Sequence, residues 1–546
     1  MNIESGSFSV TGQIVDVVNG LIFPGRIEIS EGLISSVTRI EDTEGPYILP
    51  GLIDAHVHIE SSMLLPSEFA RLAVVHGTTA TVSDPHEIAN VLGKEGIKFM
   101  IRNGNKVPFR FFFGAPSCVP ATPFETSGAV IGPEDVDEIL AWPEIKYLSE
   151  MMNFPGVLNG DPGVMAKLAS ARKYGKPVDG HAPGLDGPDA LAYANAGIST
   201  DHECFTIDEA IDKIKAGMKI LIREGSAARN FDELVPLIAD YPEMIMFCSD
   251  DKHPDDLVRG HVNLLIKRAL KAGYPFMDIV RASTLNPVRH YNLDSGLLQI
   301  GDKADFILVD HPESFNILAT YVNGHKVAEN GKTLIDHVDE QAVNLFNARK
   351  ITESDLAVIA LSEGIKVQQA LEGQLITIKK LFRAKTENGL VVSDTEKDVL
   401  KMMVMNRYNP ADPAINFVSG FGFKRGAIAS TVAHDSHNII AVGVDDESMV
   451  KAVNLLVDIK GGISFVDGDE SRVLPLPVAG LMSDKDGYEV AKRYSEINQQ
   501  VMKLGSLFEA PFMTLSFMAL LVIPALKLSD KGIFDGTTFS FTTLFE

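Results

Sequence analysis

The sequence predicts an α/β protein: a (β/α)8 TIM barrel with a discontinuous small β-sandwich domain and an additional C-terminal α+β domain. Three observations predict it. Short apolar strands alternate with helical segments from Pro50 to about residue 290. β-rich runs with glycine turns flank that stretch on both sides, and imidazole and carboxylate residues recur where the predicted strands end. A chain of 546 residues, 45% of them hydrophobic, is too long for one ordinary domain, and two to four domains are expected.

The elements follow in order. From Phe8 to Ile40, runs such as QIVDVV and RIEIS separated by Asn19-Gly20 and Glu31-Gly32 predict a small antiparallel sheet. Eight parallel strands then follow: GLIDAHVH from Gly51, TTATVSD from Thr78, FRFFFGAP from Phe109, KYLSEM from Lys146, PVDGHA from Pro177, STDHE from Ser199, MKILIREG from Met218 and MIMFCSDD from Met244. Eight strands in about 240 residues suit a closed barrel, although a doubly wound sheet repeats the same unit. GLLQIGDKADFILVD and TYVNGHKVAENGK return to hairpin signals, and neither flank alone has enough strands to be stable, so the two are expected to join. The expected domains are 1–49 with 296–345 for the sandwich, 50–295 for the barrel and 346–546 for the C-terminal region. In the last, helices are expected over Leu356 to Leu371 and Ser448 to Leu456, with a strand over Asn438 to Val444.

Composition excludes several function classes. The longest apolar stretch, Phe517 to Leu528, is interrupted by Pro524 and is too short for a membrane span. The opening MNIESGSFSV lacks the basic and apolar regions of a secretory signal, and Cys118, Cys204 and Cys248 are too widely spaced for CxxC, so a cytoplasmic protein is expected. A formal net charge of -24 opposes nucleic acid and anionic membranes as partners. The expected partners are a small-molecule substrate and a second copy of the chain in a homodimer.

The residues that carry chemistry are His56, His58, Glu150, His181, His202 and Asp250, each at the C-terminal end of a predicted strand, where barrel enzymes assemble their sites. His56 and His58, two apart on a strand, project from one face toward a common ion. Spacing in units of about 30 residues puts the six on strands one, four, five, six and eight. Four imidazoles and two carboxylates exceed what one tetrahedral ion can use, so two divalent metal ions are expected, with Glu150 between them. Mixed nitrogen and oxygen donors suit zinc, iron(II) or manganese(II).

PGLIDAHVH, the later single histidines and the strand-eight aspartate resemble the amidohydrolase superfamily. HVHIESSM, VSDPHEIANVLG, SEMMNFPGVL, DGHAPGL, TDHE, REGSAARN and CSDDKHPDDL, with FKRGAIAS and VAHDSHNIIAVG near the C-terminus, are similar to the adenine deaminase family over nearly the whole chain. The resemblance implies hydrolysis of adenine to hypoxanthine and ammonia in purine salvage, favours manganese or iron, and implies that Glu150 replaces the carbamylated lysine that many superfamily members place on strand four. Asp250 is expected to shuttle protons as general base and then acid. A different aminopurine or a cyclic amide as substrate is the alternative, and a non-catalytic scaffold is a third; the cytidine-deaminase type is excluded because PCxxC is absent.

Further residues are expected near the same mouth. Asp251, Arg223, Glu224, Ser226 and His86 are candidate substrate contacts, with HExxN at His86 unlike a zincin helix. Glu203 is expected on the opposite face from His202 if the strand continues. His434 and His437, three apart in the C-terminal region, form a candidate extra ion site or a reach over the barrel mouth, with an ordinary polar turn as the alternative. The Gly-rich SGFGFKRGA lacks the GxxxxGK[ST] of a phosphate loop.

Overall fold

The computed structural model describes residues 7–546; the first six residues of the leader reading and of the 1–49 segment lie outside the described residues. The eight barrel strands are Leu52–Val57, Thr78–Ser83, Arg110–Ala115, Ile145–Met151, Val178–Gly180, Thr200–Asp201, Lys219–Arg223 and Ile245–Cys248. All neighbouring pairs are parallel within two runs, strands one to five and six to eight. The runs close on each other at two seams. Ser199 N donates to Val178 O at 2.9 Å, and Asp250 N donates to His56 O at 3.0 Å beside the parallel bridge Val57 to Asp250. A closed cylinder rather than an open doubly wound sheet results.

Small and large apolar side chains fill the interior in layers: Ile53, Ala55, Ala80, Val82, Phe112, Tyr147, Leu221, Met246 and Cys248. Strand one shifts register against strand two between Asp54 and Val57, where the chain passes from Ile53 and Ala55 in the interior to His56 and His58 at the mouth. Such irregularities re-aim side chains beside sites.

The flanking segments form one eight-stranded sheet ordered Lys332–Thr333, His325–Glu329, Ile317–Val322, Phe306–Val309, Tyr47–Pro50, Phe8–Asp16, Leu21–Ser30 and Leu33–Arg39. The chain's two flanks meet where Tyr47–Pro50 pairs antiparallel with Phe306–Val309. The outer strand bends back, Leu33 bridging to Lys303, so the sheet folds over a small core of Ile14, Ile27, Ile29, Ile34, Ile48 and Phe306. Its other face presents Val15, Leu49 and Ile307 to the barrel helices.

A second eight-stranded sheet, from Ile378–Arg383 to Glu470–Pro475, forms the C-terminal region, with helix Asp446–Ile459 packed on it through Met449, Val453 and Leu456. The predicted helix over Leu356 to Leu371 is not formed. A short 3-10 turn covers Glu353–Leu356 and a strand covers Gly364–Gln369, because Gly364 breaks the apolar repeat and Ile365 and Val367 alternate into the sheet's core. The strand Ile439–Gly443 and the helix containing Ser448 to Leu456 lie where the sequence places them. The stretch Phe517 to Leu528 is neither one helix nor one strand: helix Pro511–Phe517 ends as it starts, and Leu526–Ser529 is a strand beyond Pro524. Among the described residues no helix is long and apolar enough to cross a membrane.

Candidate metal centre

Each expected ligand stands at or just beyond a barrel strand end, and the fold brings all six to one buried point, none more than 5% exposed. His56 Nε2 and His58 Nε2 face each other at 3.1 Å, and both face Asp250 Oδ1, at 3.6 and 3.3 Å. Glu150 divides its two oxygens: Oε1 lies 3.4 Å from His58 Nε2, while Oε2 lies 2.7 Å from His181 Nδ1 and 3.2 Å from His202 Nε2. His202 stacks on His56 with ring centroids 4.2 Å apart. Asp250 reaches this point from left-handed backbone at φ 55, a conformation that Asp tolerates better than most residues.

Electrostatics follow from burial and mutual proximity. Burial would push the Glu150 carboxyl up, but His181 and His202 overcome it and hold it well below the usual carboxylate range. Burial likewise opposes ionisation of Asp250, and the Arg223 guanidinium with His58 holds it low. In turn burial lowers His202 while Glu150 and Asp250 lift it to about 9, so protons on the imidazoles balance the buried anions. A cation is the other means of balancing them.

The donor atoms fit a metal. The nitrogens turned to the centre, His56 Nε2, His58 Nε2, His181 Nδ1 and His202 Nε2, face only one another and the carboxylates Glu150, Glu203 and Asp250. Ligand atoms of His56, His58 and Asp250, of His56, Glu150 and His202, and of His58, Asp84, His86 and Glu150 fall within 4.8 Å of one another in each set. Few arrangements other than ion binding explain so many facing lone pairs.

Three residues stand closer to this centre than the sequence indicates. His86, at the start of helix His86–Leu92, lies 3.5 Å from Glu150 Oε1 through Nδ1 and 3.1 Å from Asp84 Oδ2. Asp84 follows strand two in the same way that His58 follows strand one, and that position is the signal for it in the sequence. Glu203 does not alternate away: strand six ends at Asp201, and the Glu203 carboxylate sits 3.4 Å from His202 Nε2 and 3.7 Å from His181 Nδ1. Only strict continuation of the strand would have hidden it.

The candidate substrate contacts separate into two groups. Asp251 and His86 line the narrow cavity over the centre, together with Glu87, Met152, Leu375, His434, Asp435, Phe517 and Leu520. Arg223 is buried behind it, donating to both Glu203 oxygens and, at 2.7 Å, to Asp250 Oδ2. Glu224 turns outward to Arg268 at 2.6 Å, and Ser226 Oγ donates to Asp256 Oδ2 at 2.6 Å. Neither lines that cavity. The strand-four Lys146 donates to Pro143 O, away from the centre. The amides of Gly420 and Gly422 in the Gly-rich loop donate to Asp398 at 2.6 and 2.7 Å, which closes that loop to an external anion.

The C-terminal sheet supplies the roof. His434 and His437 are brought not to the six ligands but to Glu87, whose two oxygens they face through Nδ1 and Nε2 respectively. The reach over the mouth is therefore made by ring contacts to a barrel carboxylate.

Comparison with known proteins accords with this division. The Amidohydrolase family model matches residues 47–327, and the Adenine deaminase C-terminal domain model matches residues 374–540. The chain is 53% identical over 541 residues to the adenine deaminase of Salinibacter ruber, covering 99% of both chains. It is 55% identical over 545 residues to that of Methanosarcina acetivorans, covering 98% of this chain and 99% of the relative. With that of Borreliella burgdorferi it shares 47% over 542 residues, 98% of this chain and 99% of the relative. Matched from end to end at this identity, with both family domains in order, the chain belongs to the adenine deaminase family of amidohydrolases.

Proposed function

We propose that this chain hydrolyses adenine to hypoxanthine and ammonia. The observation that carries the reading is the convergence of four imidazoles and two carboxylates from five barrel strands beneath a roof that brings Leu375, His434, Phe517 and Leu520 over them. The curated relatives of full length are adenine deaminases.

Residue roles follow from position. His56, His58, Glu150, His181, His202 and Asp250 would hold two divalent ions, manganese or iron(II) before zinc, with Glu150 shared because its oxygens face different imidazoles. His86, Asp84 and Glu203 are near enough to orient these ligands or add to them. Such ions, when bound, lower the pKa of water toward neutrality and polarise the ring. Arg223 fixes Asp250 by Oδ2 and leaves Oδ1 turned to the histidine pair. From there Asp250 takes a proton as water oxygen bonds to C6, then returns it to the departing nitrogen as the C6–N bond breaks. Leu375, Phe517 and Leu520 exclude bulk water from above.

The same reading divides the chain into the 1–49 with 296–345 sheet domain, the 50–295 barrel and the 346–546 roof. A cytoplasmic location fits three buried free cysteines, and a homodimer would cover exposed apolar side chains such as Ile359, Leu361 and Leu381; light scattering gives the mass. The direct test is incubation of metal-loaded protein with adenine, adenosine, guanine and cytosine while ammonia is followed. Release from adenine alone supports the reading, and release only from another base replaces it.

A further inference from the structure

His434 lies 2% exposed in the turn before strand Ile439–Gly443, its ring stacked on Phe517 at 4.7 Å between centroids and 15° between planes. Its orientation is set by a chain of three groups. Ala433 N–H donates to His437 Nδ1 at 3.2 Å, so the lone pair of His437 is on Nδ1 and its hydrogen on Nε2. That hydrogen points to one oxygen of Glu87, and His434 Nδ1 points to the other. A carboxylate only accepts, so both imidazoles donate to Glu87.

Three ligand-type side chains gathered this way invite a metal, and their ligand atoms lie within 4.8 Å of one another. The Ala433 amide argues against one. An ion on His437 Nε2 would need the hydrogen on Nδ1, where the amide N–H already points.

What remains uncommitted is His434 Nε2. It is buried without a hydrogen-bond partner, and His434 is one of the residues lining the cavity over the metal centre. Its nearest charged neighbour, Asp251 Oδ1, stands 3.9 Å away, too far to bond, and already accepts from Ser61 Oγ. Buried nitrogens without partners are rare in native proteins unless a ligand supplies one. With Nδ1 donating to Glu87, Nε2 carries a hydrogen only when the ring is an imidazolium, the form that Glu87 and Asp251 favour against burial by lifting His434 to about 9; Nε2 is then a donor without an acceptor.

We propose that His434 is a specificity-determining residue contributed by the C-terminal domain: its Nε2–H donates to a purine ring nitrogen, N3 or N7, while Glu87 and His437 act as positioning residues that fix its ring orientation. This rests on the adenine reading above. It gives the roof a chemical role beyond excluding water.

The test compares adenine with 3-deazaadenine and 7-deazaadenine on metal-loaded protein, by kcat/KM or, for an analogue not turned over, by its competitive inhibition constant. Wild type is expected to disfavour one analogue by about 10- to 100-fold, the cost of leaving a buried donor unpaired. In His434→Ala that penalty collapses to about threefold or less while metal content is unchanged, and the other analogue's ratio does not move. His434→Gln, which keeps a donor, recovers part of the penalty, and His437→Ala raises KM more than it lowers kcat. Should His434→Ala fold poorly, the Gln and His437 variants carry the comparison. An unchanged penalty in the His434 variants, no penalty in wild type, or loss of a metal equivalent in His434→Ala overturns the proposal. Failure of wild type to release ammonia from adenine overturns the underlying reading instead.

Discussion

Asp250 is held by three restraints at once: Arg223 grips Oδ2 at 2.7 Å, the histidine pair faces Oδ1, and its own amide and carbonyl close the barrel seam against His56 and His58. Replacing one carboxylate oxygen by an amide preserves shape and removes the base proposed above. Asp250→Asn is expected to lower kcat by about 10²- to 10⁴-fold with the fold intact, measured by ammonia release alongside metal analysis. Near-normal turnover with full metal would exclude the shuttle role. Glu150→Ala withdraws anionic charge from both halves of the centre, so metal retention should fall with activity. Because ligand binding stabilises the folded state by mass action, chelator should then lower the melting temperature of wild type and leave this variant unmoved. At this scale the sequence was readable wherever a strand pattern aimed a residue at the mouth, as at His56, His58 and Asp250. It was unreadable where the backbone leaves the strand, as at Glu203, since only the end of strand six at Asp201 decides which way that side chain turns.

Strands six and seven illustrate how an element can be shaped by buried charge. Arg223 closes the seventh strand 1% exposed, and its guanidinium neutralises Glu203 after strand six and Asp250 after strand eight. Truncating it leaves two carboxylates without that partner, and breaking a buried pair costs about 3–5 kcal/mol. Arg223→Met should therefore melt well below wild type, and added divalent ion should restore part of the loss because a cation can take over the balance. A melting curve that coincides with wild type in both conditions would show that the guanidinium is not needed there. The same local logic explains which elements were legible. Eight strands are legible because each is a short apolar run between turn signals, whereas Leu356 to Leu371 imitates a helix in composition and its Gly364–Gln369 part becomes a strand only by pairing with Ile378–Arg383 and Ala414–Ser419, partners that no local window contains.

The molecule as a whole depends on how the roof is fastened to the barrel, and the segment after strand three is one fastening. Thr126 N donates to Asp530 at 2.9 Å, Asn438 donates to Thr126 O at 2.9 Å, and Lys531 Nζ donates to Glu125 O at 2.9 Å. Glu125 itself is 4% exposed; one oxygen accepts from Thr122 N and Oγ1 at 3.1 and 3.0 Å, and the other has no partner. Burial, with Asp435 of the roof nearby, pushes its carboxyl up from 4.5 to about 8. Between those values the folded chain keeps a proton that the unfolded chain releases. Stability from this group is thus fully present below about pH 4.5, declines as pH rises, and is lost by about pH 8, a span on the order of 3–5 kcal/mol. Glu125→Gln imitates the protonated acid at every pH and removes the dependence. Its melting temperature should match wild type near pH 5 and exceed it by about 3–4 °C at pH 8.5. The histidines of the metal centre titrate in both proteins and cancel in the difference, so curves that run parallel across this range would mean that Glu125 is ionised at the joint and that the roof is held by its other contacts.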